Sequence, residues 1–190
     1  MNLVIMREKD GLRRKMKIKI KHQKAQERRK RSGVIHKKLF LNEDFLKSRC
    51  AMLYVSKGTG EVETGPIIKK ALTMGKKVVL PVTSVRDKNI KPVYLRDIKR
   101  LKKGLYGIYE PEGPSDRRPA ALKDIDLVIV PGVAFDRSNN RMGHGKGYYD
   151  NFLRRLPRGR PKIGLGFRFQ LLDKIPSTKR DIPLTGVITD

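Results

Sequence analysis

Three short runs in this chain are apolar at every position: residues 51–55 (Ala-Met-Leu-Tyr-Val), 78–80 (Val-Val-Leu) and 127–130 (Leu-Val-Ile-Val). A strand with no polar position has no face to give to water. It has to be covered on both sides, which is the situation of strands in a parallel sheet sandwiched by helices. The intervening segments fit that arrangement. A helix is expected to start at Thr64 or Gly65, with Pro66 in its first turn. Ile67, Ile68, Ala71 and Leu72 share its inner face, and Gly75 ends it. Residues 147–156 read as another helix, 163–167 and 187–189 as further strands, and 92–95 as an edge strand, with Pro81 closing the strand at 78–80. Residues 103–123 are rich in Gly and Pro and read as loop. The expected class is α/β: three layers, a mainly parallel open sheet with helices on both faces, and a basic N-terminal helix. No internal repeat or linker divides the chain, so residues 1–190 are expected to form one domain. Ligands of such sheets bind beyond the carboxyl ends of the strands. Residues 55–61, 131–136 and 166–170 each follow a strand and should converge on one rim.

The N-terminal part is of a different character. Residues 7–31 read as a helix on which Leu12, Met16 and Ile20 form a thin apolar stripe, suited to the surface of the domain. Ser32 is expected to cap a second helix with Val34, Ile35 and Leu39 inward, and Asn42 a third, ending near Lys47. Residues 7–31 hold 13 Lys and Arg against 3 Asp and Glu, within a whole-chain formal charge of +26. Such a balance suits anionic ligands, and an arm of this kind suits nucleic acid. Yet the aromatic content is only 6% and no aromatic platform interrupts the basic runs, so nucleic acid is expected to bind only non-specifically. The rival reading is a basic nucleic-acid-binding protein on an enzyme-like scaffold. The single cysteine, Cys50, allows no internal disulfide and reads as a buried thiol. The longest apolar runs are far too short to cross a membrane, and no signal-peptide pattern is present, so a cytoplasmic monomer is expected.

Chemistry is densest at residues 141–150, Arg-Met-Gly-His-Gly-Lys-Gly-Tyr-Tyr-Asp. Gly143, Gly145 and Gly147 let the backbone approach a ligand and turn its N–H groups inward. Lys146 sits among them, and Asp150 follows one helical turn later. The combination suits a polyphosphate with its metal ion. It also suits a mere tight turn between strand and helix. It is not a Walker A loop, because Gly147 stands where Ser or Thr would follow the lysine, and it is not the dinucleotide fingerprint.

Motifs in a fixed order give the chain a resemblance to a known family. They are Lys9-x-x-Leu12-Arg13; Glu61-Val-Glu63-Thr64; Gly104-x-x-Gly107-Ile-x-Glu110-Pro111; Val130-Pro-Gly-Val-Ala-Phe-Asp136; Arg141-x-Gly-x-Gly-Lys-Gly-Tyr-Tyr-Asp150; and Phe169-Gln170 followed by Asp181-Ile-Pro. The fourth and fifth are specific as an ordered pair. Spread over nearly the whole sequence, they resemble the 5-formyltetrahydrofolate cyclo-ligase family. The resemblance implies an ATP- and Mg2+-dependent conversion of 5-formyltetrahydrofolate, polyglutamylated or not, to 5,10-methenyltetrahydrofolate with release of ADP and phosphate.

The resemblance also implies residue roles. Lys9 and Arg13, one turn apart, look like phosphate contacts, and Arg141, Met142, Gly143, His144, Gly145, Lys146, Gly147, Tyr148 and Tyr149 would form the ATP loop. Lys146 would stabilise the transferring phosphoryl group as the catalytic residue, and His144 is a rim or phosphate contact without a catalytic role. Asp150 and Asp181 are the metal candidates, Asp150 the safer. Asp136 would brace the glycine loop. Folate recognition is tied to Val55 and Glu61, with Glu63 left as an alternative to Glu61. Phe135, Tyr149 and Phe169 are candidates to pack on the pterin, each equally suited to the core. Arg168 and Lys179-Arg180 depart from the family pattern and add positive charge near Asp181.

Overall fold

The computed structural model describes residues 3–58, 60–104, 107, 109–111 and 118–190. Six strands form the main sheet: β1 (Cys50–Met52), β2 (Lys77–Ser84), β3 (Asn89–Tyr94), β6 (Leu127–Pro131), β9 (Lys162–Leu165) and β11 (Gly186–Ile188). Their spatial order is β11-β9-β6-β1-β2-β3, parallel throughout except for the antiparallel edge strand β3. The fully apolar runs occupy the centre, as their lack of a wet face requires.

Successive side chains on a strand point to opposite faces, and the core divides accordingly. Val78, Leu80, Leu127 and Ile129 face one side, where they meet Ile35 and Leu39 of α2 (Ala25–Phe40), Phe45 of α3 (Glu43–Lys47), and Ile67, Ile68 and Ala71 of α4 (Gly65–Thr73). Val79, Val128 and Val130 face the other, against Phe152 and Leu153 of α5 (Tyr148–Arg154). Three layers result, with helices on both faces. A small second sheet, in the order β10-β7-β8, is built from β7 (Ala134–Asp136), β8 (Arg141–Met142) and β10 (Leu171–Leu172). Strands this short carry no periodicity to be read. The hairpin of β4 (Leu101–Lys103) and β5 (Tyr109–Pro111) lies within the stretch expected to be loop. The rest of that stretch is only partly described, and Ile108 and Thr59 lie outside the described residues.

The single basic helix expected over residues 7–31 is two helices, α1 (Leu3–Lys21) and α2, joined through residues 22–24. The two apolar stripes have different partners, so the axis has to turn. Met16 of α1 is buried with Val133, Ala134, Met142 and Ile175, and Leu12 and Ile20 pack beside it. The stripe is thus a docking seam onto the small sheet. Ser32 is not a cap: it is buried within α2, where its Oγ accepts a hydrogen bond from Glu63 N at 3.2 Å. Val34, expected inward, is 40% exposed. Asn42 does cap α3, its Oδ1 accepting from Phe45 N at 3.1 Å. Pro81 does not end β2. It stands opposite Pro92 of β3, beyond the last β1 partner at Val79, so its missing N–H interrupts no ladder bond with β1.

Candidate functional site

The loops after β1, β6 and β9 meet at one rim, and α1 lies across them. Between them is a cavity of about 450 Å³, lined by Tyr54, Lys57, Gly60, Glu61 and Val62 from the first loop and by Pro131, Gly132 and Val133 from the second. Leu165 and Gln170 close it from the third side, His144 of the glycine loop from above, and Lys17, Ile20, Lys21 and Arg28 from α1 and α2. That size is within the range of small-molecule sites.

Each wall has a local cause. Gly60 has φ 123°, and a Cβ there would lie 2.3 Å from Ile20 Cγ2, so only glycine lets the first loop reach α1. Gln170 is 3% exposed and bonds in both senses. Its Nε2 donates to Gly132 O (2.9 Å) and Val133 O (3.1 Å), and its Oε1 accepts from Phe167 N (2.8 Å). It therefore fixes the second and third loops to each other.

Glu61 lies in the cavity wall, and its Oε2 accepts from Lys57 N at 2.9 Å. Burial raises its pKa, opposed by Lys57. Burial first, and then the charge of Glu61, push the Tyr54 hydroxyl well above its ordinary value; burial likewise raises Tyr149, with Arg141 opposing and Glu61 adding to it. Glu63 is elsewhere: its carboxylate faces Arg28 at 3.6 Å, and its carbonyl O lies 2.6 Å from His36 Nε2. Of the two carboxylates that spacing left open, Glu61 is the one in the cavity. Val55 is partly buried against the core beside it.

The glycine loop sits above. Lys146 and His144 are exposed, Met142 is buried in the core under α1, and Gly147 has φ 75° at the start of α5. His144 is exposed at the surface but borders the cavity, and desolvation there, then the charges of Lys17, Lys57, Arg141 and Arg13, lower its pKa to about 4. Its imidazole is neutral at pH 7. Arg13 Nε donates to Gly143 O at 3.0 Å, and Lys9 Nζ to Asp181 Oδ2 at 2.5 Å. The Lys9/Arg13 pair thus ties α1 to the loop and to the segment before Pro183. Arg141 is buried, donates to Asp150 Oδ2 at 3.0 Å and lies over the Tyr149 ring at 5.5 Å. Its buried Nε has no hydrogen-bond partner.

The segment that carries Asp181 meets Asp150, because Ile182 N donates to Asp150 Oδ1 at 3.3 Å. Asp181 Oδ2 takes Lys9 and both Thr178 donors. Burial raises its pKa, but the bonds from Lys9 and Thr178 outweigh that and hold it low. No group of three or more His, Cys, Asp and Glu close enough to hold a metal exists among the described residues. A carboxylate or two would nevertheless suit a magnesium ion that keeps waters and phosphate oxygens for most of its shell. Both Asp150 oxygens already accept a hydrogen bond, from Arg141 and from Ile182 N, while three donors converge on Oδ2 of Asp181.

One expectation is corrected, and one open alternative is decided. Asp136 does not brace the glycine loop. It is 1% exposed and accepts from Ser138 N, Asn140 N and Nδ2, and Ile175 N, so it ties the turn between β7 and β8 to the chain after β10. Phe135 is fully buried beneath the cavity, where Cβ atoms built on Gly132, Gly164 and Gly166 would come within 2.4, 2.6 and 2.8 Å of its ring. It is core and has no face for a ligand. Phe169 is stacked on Phe167 at 5.9 Å and lies 6.0 Å from the Arg31 guanidinium. Sequence reasoning missed Tyr54, Lys57, Lys17, Lys21 and Arg28. Gln170 stood in a quoted motif without a role.

A family model described as the 5-formyltetrahydrofolate cyclo-ligase family matches residues 5–190. A probable 5-formyltetrahydrofolate cyclo-ligase of Caenorhabditis elegans is 34% identical over 190 residues, covering 95% of this chain and 91% of its own. The 5-formyltetrahydrofolate cyclo-ligase of Mus musculus is 31% identical over 189 residues, covering 95% and 92%. Among solved structures, the 5,10-methenyltetrahydrofolate synthetase of Aquifex aeolicus superposes with a TM-score of 0.79 at 31% identity, over 95% of this chain and 89% of that one.

Proposed function

The chain belongs to the 5-formyltetrahydrofolate cyclo-ligase family, and on that premise we propose that it closes 5-formyltetrahydrofolate to 5,10-methenyltetrahydrofolate using ATP and Mg2+, with residues 1–190 acting as one domain. The observation that carries the reading is the shared cavity. Glu61, the expected folate contact, and His144 of the expected ATP loop line the same space. A formyl oxygen held near the first and a terminal phosphate held by the second are then within reach of each other.

The chemistry needs that proximity. An N-formyl carbonyl is a poor electrophile. Transfer of the terminal phosphoryl group of ATP to its oxygen creates a good leaving group; N10 then attacks the formyl carbon, and phosphate departs as the ring closes. The protein positions the two substrates and stabilises charge. Glu61 accepts hydrogen bonds from the pterin amino and ring N–H groups, with Val55 packing beside it. The backbone of residues 143–147 and the Lys146 ammonium surround the phosphates. Arg141 holds Asp150 in place, and Lys9 and Arg13 secure α1 over the loop. Asp150, with Asp181 second, would hold Mg2+, which neutralises phosphate charge. His144, neutral at pH 7, serves as a rim contact.

Purified protein given 5-formyltetrahydrofolate, ATP and magnesium is expected to develop the methenyl chromophore, and chelation of magnesium to stop it. Lys146→Ala should lower kcat about 10²–10³-fold, the range for loss of one electrostatic donor to a transition state. Its thermal midpoint should be unchanged, because Lys146 is exposed. Full turnover by this variant would remove the lysine from the mechanism.

A further inference from the structure

Helix α1 touches both halves of the proposed site. Its N-terminal half is tied to the glycine loop and to the segment before Pro183: Arg13 Nε donates to Gly143 O at 3.0 Å, and Lys9 Nζ to Asp181 Oδ2 at 2.5 Å. Asp181 is followed by Ile182, whose N–H reaches Asp150 of α5. Its C-terminal half meets the loop that carries Glu61. Lys17, Ile20 and Lys21 line the cavity, as does Glu61. Gly60 lies so close to α1 that a Cβ there would meet Ile20 Cγ2 at 2.3 Å and Ile20 O at 2.9 Å. From Arg13 to Ile20 is about 10 Å along the helix axis, with the buried Met16 between them. One continuous element thus joins the two loops assigned to the two substrates.

That element is thinly held. Of the 19 residues of α1 only Lys9 and Met16 are buried, and its apolar seam is Met16 with Leu12 and Ile20 beside it. A helix with so few buried contacts keeps local freedom that a ligand at either end removes. The ligand that binds first loses the entropy of ordering the helix, and the second finds it ordered, so each binds more tightly in the presence of the other. Lys9 and Arg13 can take part in this without leaving their present partners. An ammonium has three N–H donors and a guanidinium five, whereas Lys9 donates to Asp181 and Arg13 to Gly143 O and Asp10. A phosphate at the glycine loop can draw on further donors of both, and so fix the helix from the nucleotide end.

Resting on the assignment of nucleotide to the glycine loop and folate to Glu61, we propose that α1 couples the two sites, so that nucleotide bound at the first raises the affinity for folate at the second. The test is calorimetric titration of 5-formyltetrahydrofolate into the protein, with and without a saturating β,γ-imido analogue of ATP and magnesium, so that no turnover intervenes. Three variants are compared with the parent. Arg14→Ala with Lys15→Ala removes two exposed charges and keeps a strong helix. Arg14→Gly with Lys15→Gly removes the same charges and softens the rod between Arg13 and Ile20. Arg13→Met leaves the helix intact and cuts its tie to Gly143 O. In the parent and the alanine pair the analogue should lower the folate Kd by at least about fivefold, the lower end of ordinary coupling, and folate should lower the analogue's Kd by the same factor. In the glycine pair and in Arg13→Met, measured at saturation, the factor should fall below about twofold. Hydrogen exchange in α1 of the parent should slow with either ligand alone, and the central strands should stay protected in all four proteins. Equal tightening in all four would overturn the proposal, since the ligands would then act on each other without α1. Independent binding of the two ligands to the parent would overturn it as well, leaving the proposed reaction intact. Failure of either ligand to bind the parent would instead sink the proposed reaction, and the coupling with it.

Discussion

Glu61 is the residue at which folding and the proposed recognition pull in opposite directions. Burial raises its pKa, so the folded state holds the proton more tightly than the unfolded chain does. Stability from this group is present below the unfolded carboxylate value and is lost as pH rises through the folded value. At pH 7 the ionised form therefore carries a cost. Glu61→Gln should raise the thermal midpoint at pH 7 by roughly 2 °C, as a gain of about 1 kcal/mol does in a chain of this size. The difference should fade on acidification to pH 4, while KM for the folate rises. A variant less stable than the parent at pH 7 contradicts the burial argument. Gly164 tests the floor beneath. Its added methyl would meet Phe135 Cε1 at 2.6 Å and Leu184 Cδ1 at 2.8 Å, so Gly164→Ala should destabilise by about 1–3 kcal/mol through overpacking. Phe135→Leu added to it should restore part of that loss in a denaturant titration. At this scale the sequence was partly legible. Glu61, Lys146 and Asp150 announced themselves as chemistry-bearing residues beside glycines. Lys17, Lys21, Arg28 and Lys57 did not, because nothing local separates a cavity-lining cation from its many solvated neighbours. Phe135 stayed open because a strand-end aromatic looks the same in sequence whether a ligand or three glycines cover it.

Among elements, α1 is the one whose attachment is thinnest. It is held by the Leu12-Met16-Ile20 seam, by Lys9 on Asp181 and by Arg13 on Gly143 O. The Asp181 carboxyl is held below its ordinary range, so its stabilisation is present above the unfolded value and disappears as pH falls through the folded one. Asp181→Asn should cost about 1–3 kcal/mol at neutral pH, the range for a charge-assisted bond that is partly buried. Hydrogen exchange should quicken in α1 before it does in the central strands. Uniform exchange change across the molecule would mean that α1 is not a separable unit. The helix itself was legible from its four-residue repeat. Its end was not, because His22, Gln23 and Lys24 are all compatible with helix and the turn is imposed by two docking partners. The central strands were legible because uninterrupted apolarity permits one kind of placement. The strands of the small sheet were not, since two or three residues cannot display a period.

For the whole molecule, a formal charge of +26 on 190 residues sets the electrostatic background. Like charges on a compact body repel, and salt screens them over about 10 Å at 0.1 M. The thermal midpoint should therefore rise by several degrees between 10 and 300 mM sodium chloride, with phosphate or ATP doing the same at lower concentration. A midpoint that falls with salt would show that the ion pairs, Lys9–Asp181 and Arg141–Asp150 among them, outweigh the repulsion. No described helix is long and apolar enough to cross a membrane.

Beneath the cavity the Phe135 ring lies flush against three backbones that carry no side chains. Such a base has nothing to trim. Redesign toward a bulkier pterin cannot excavate downward by shortening residues; it would have to relocate α1 or the glycine loop sideways. Tolerance for new substrates in this enzyme is therefore governed by its roof.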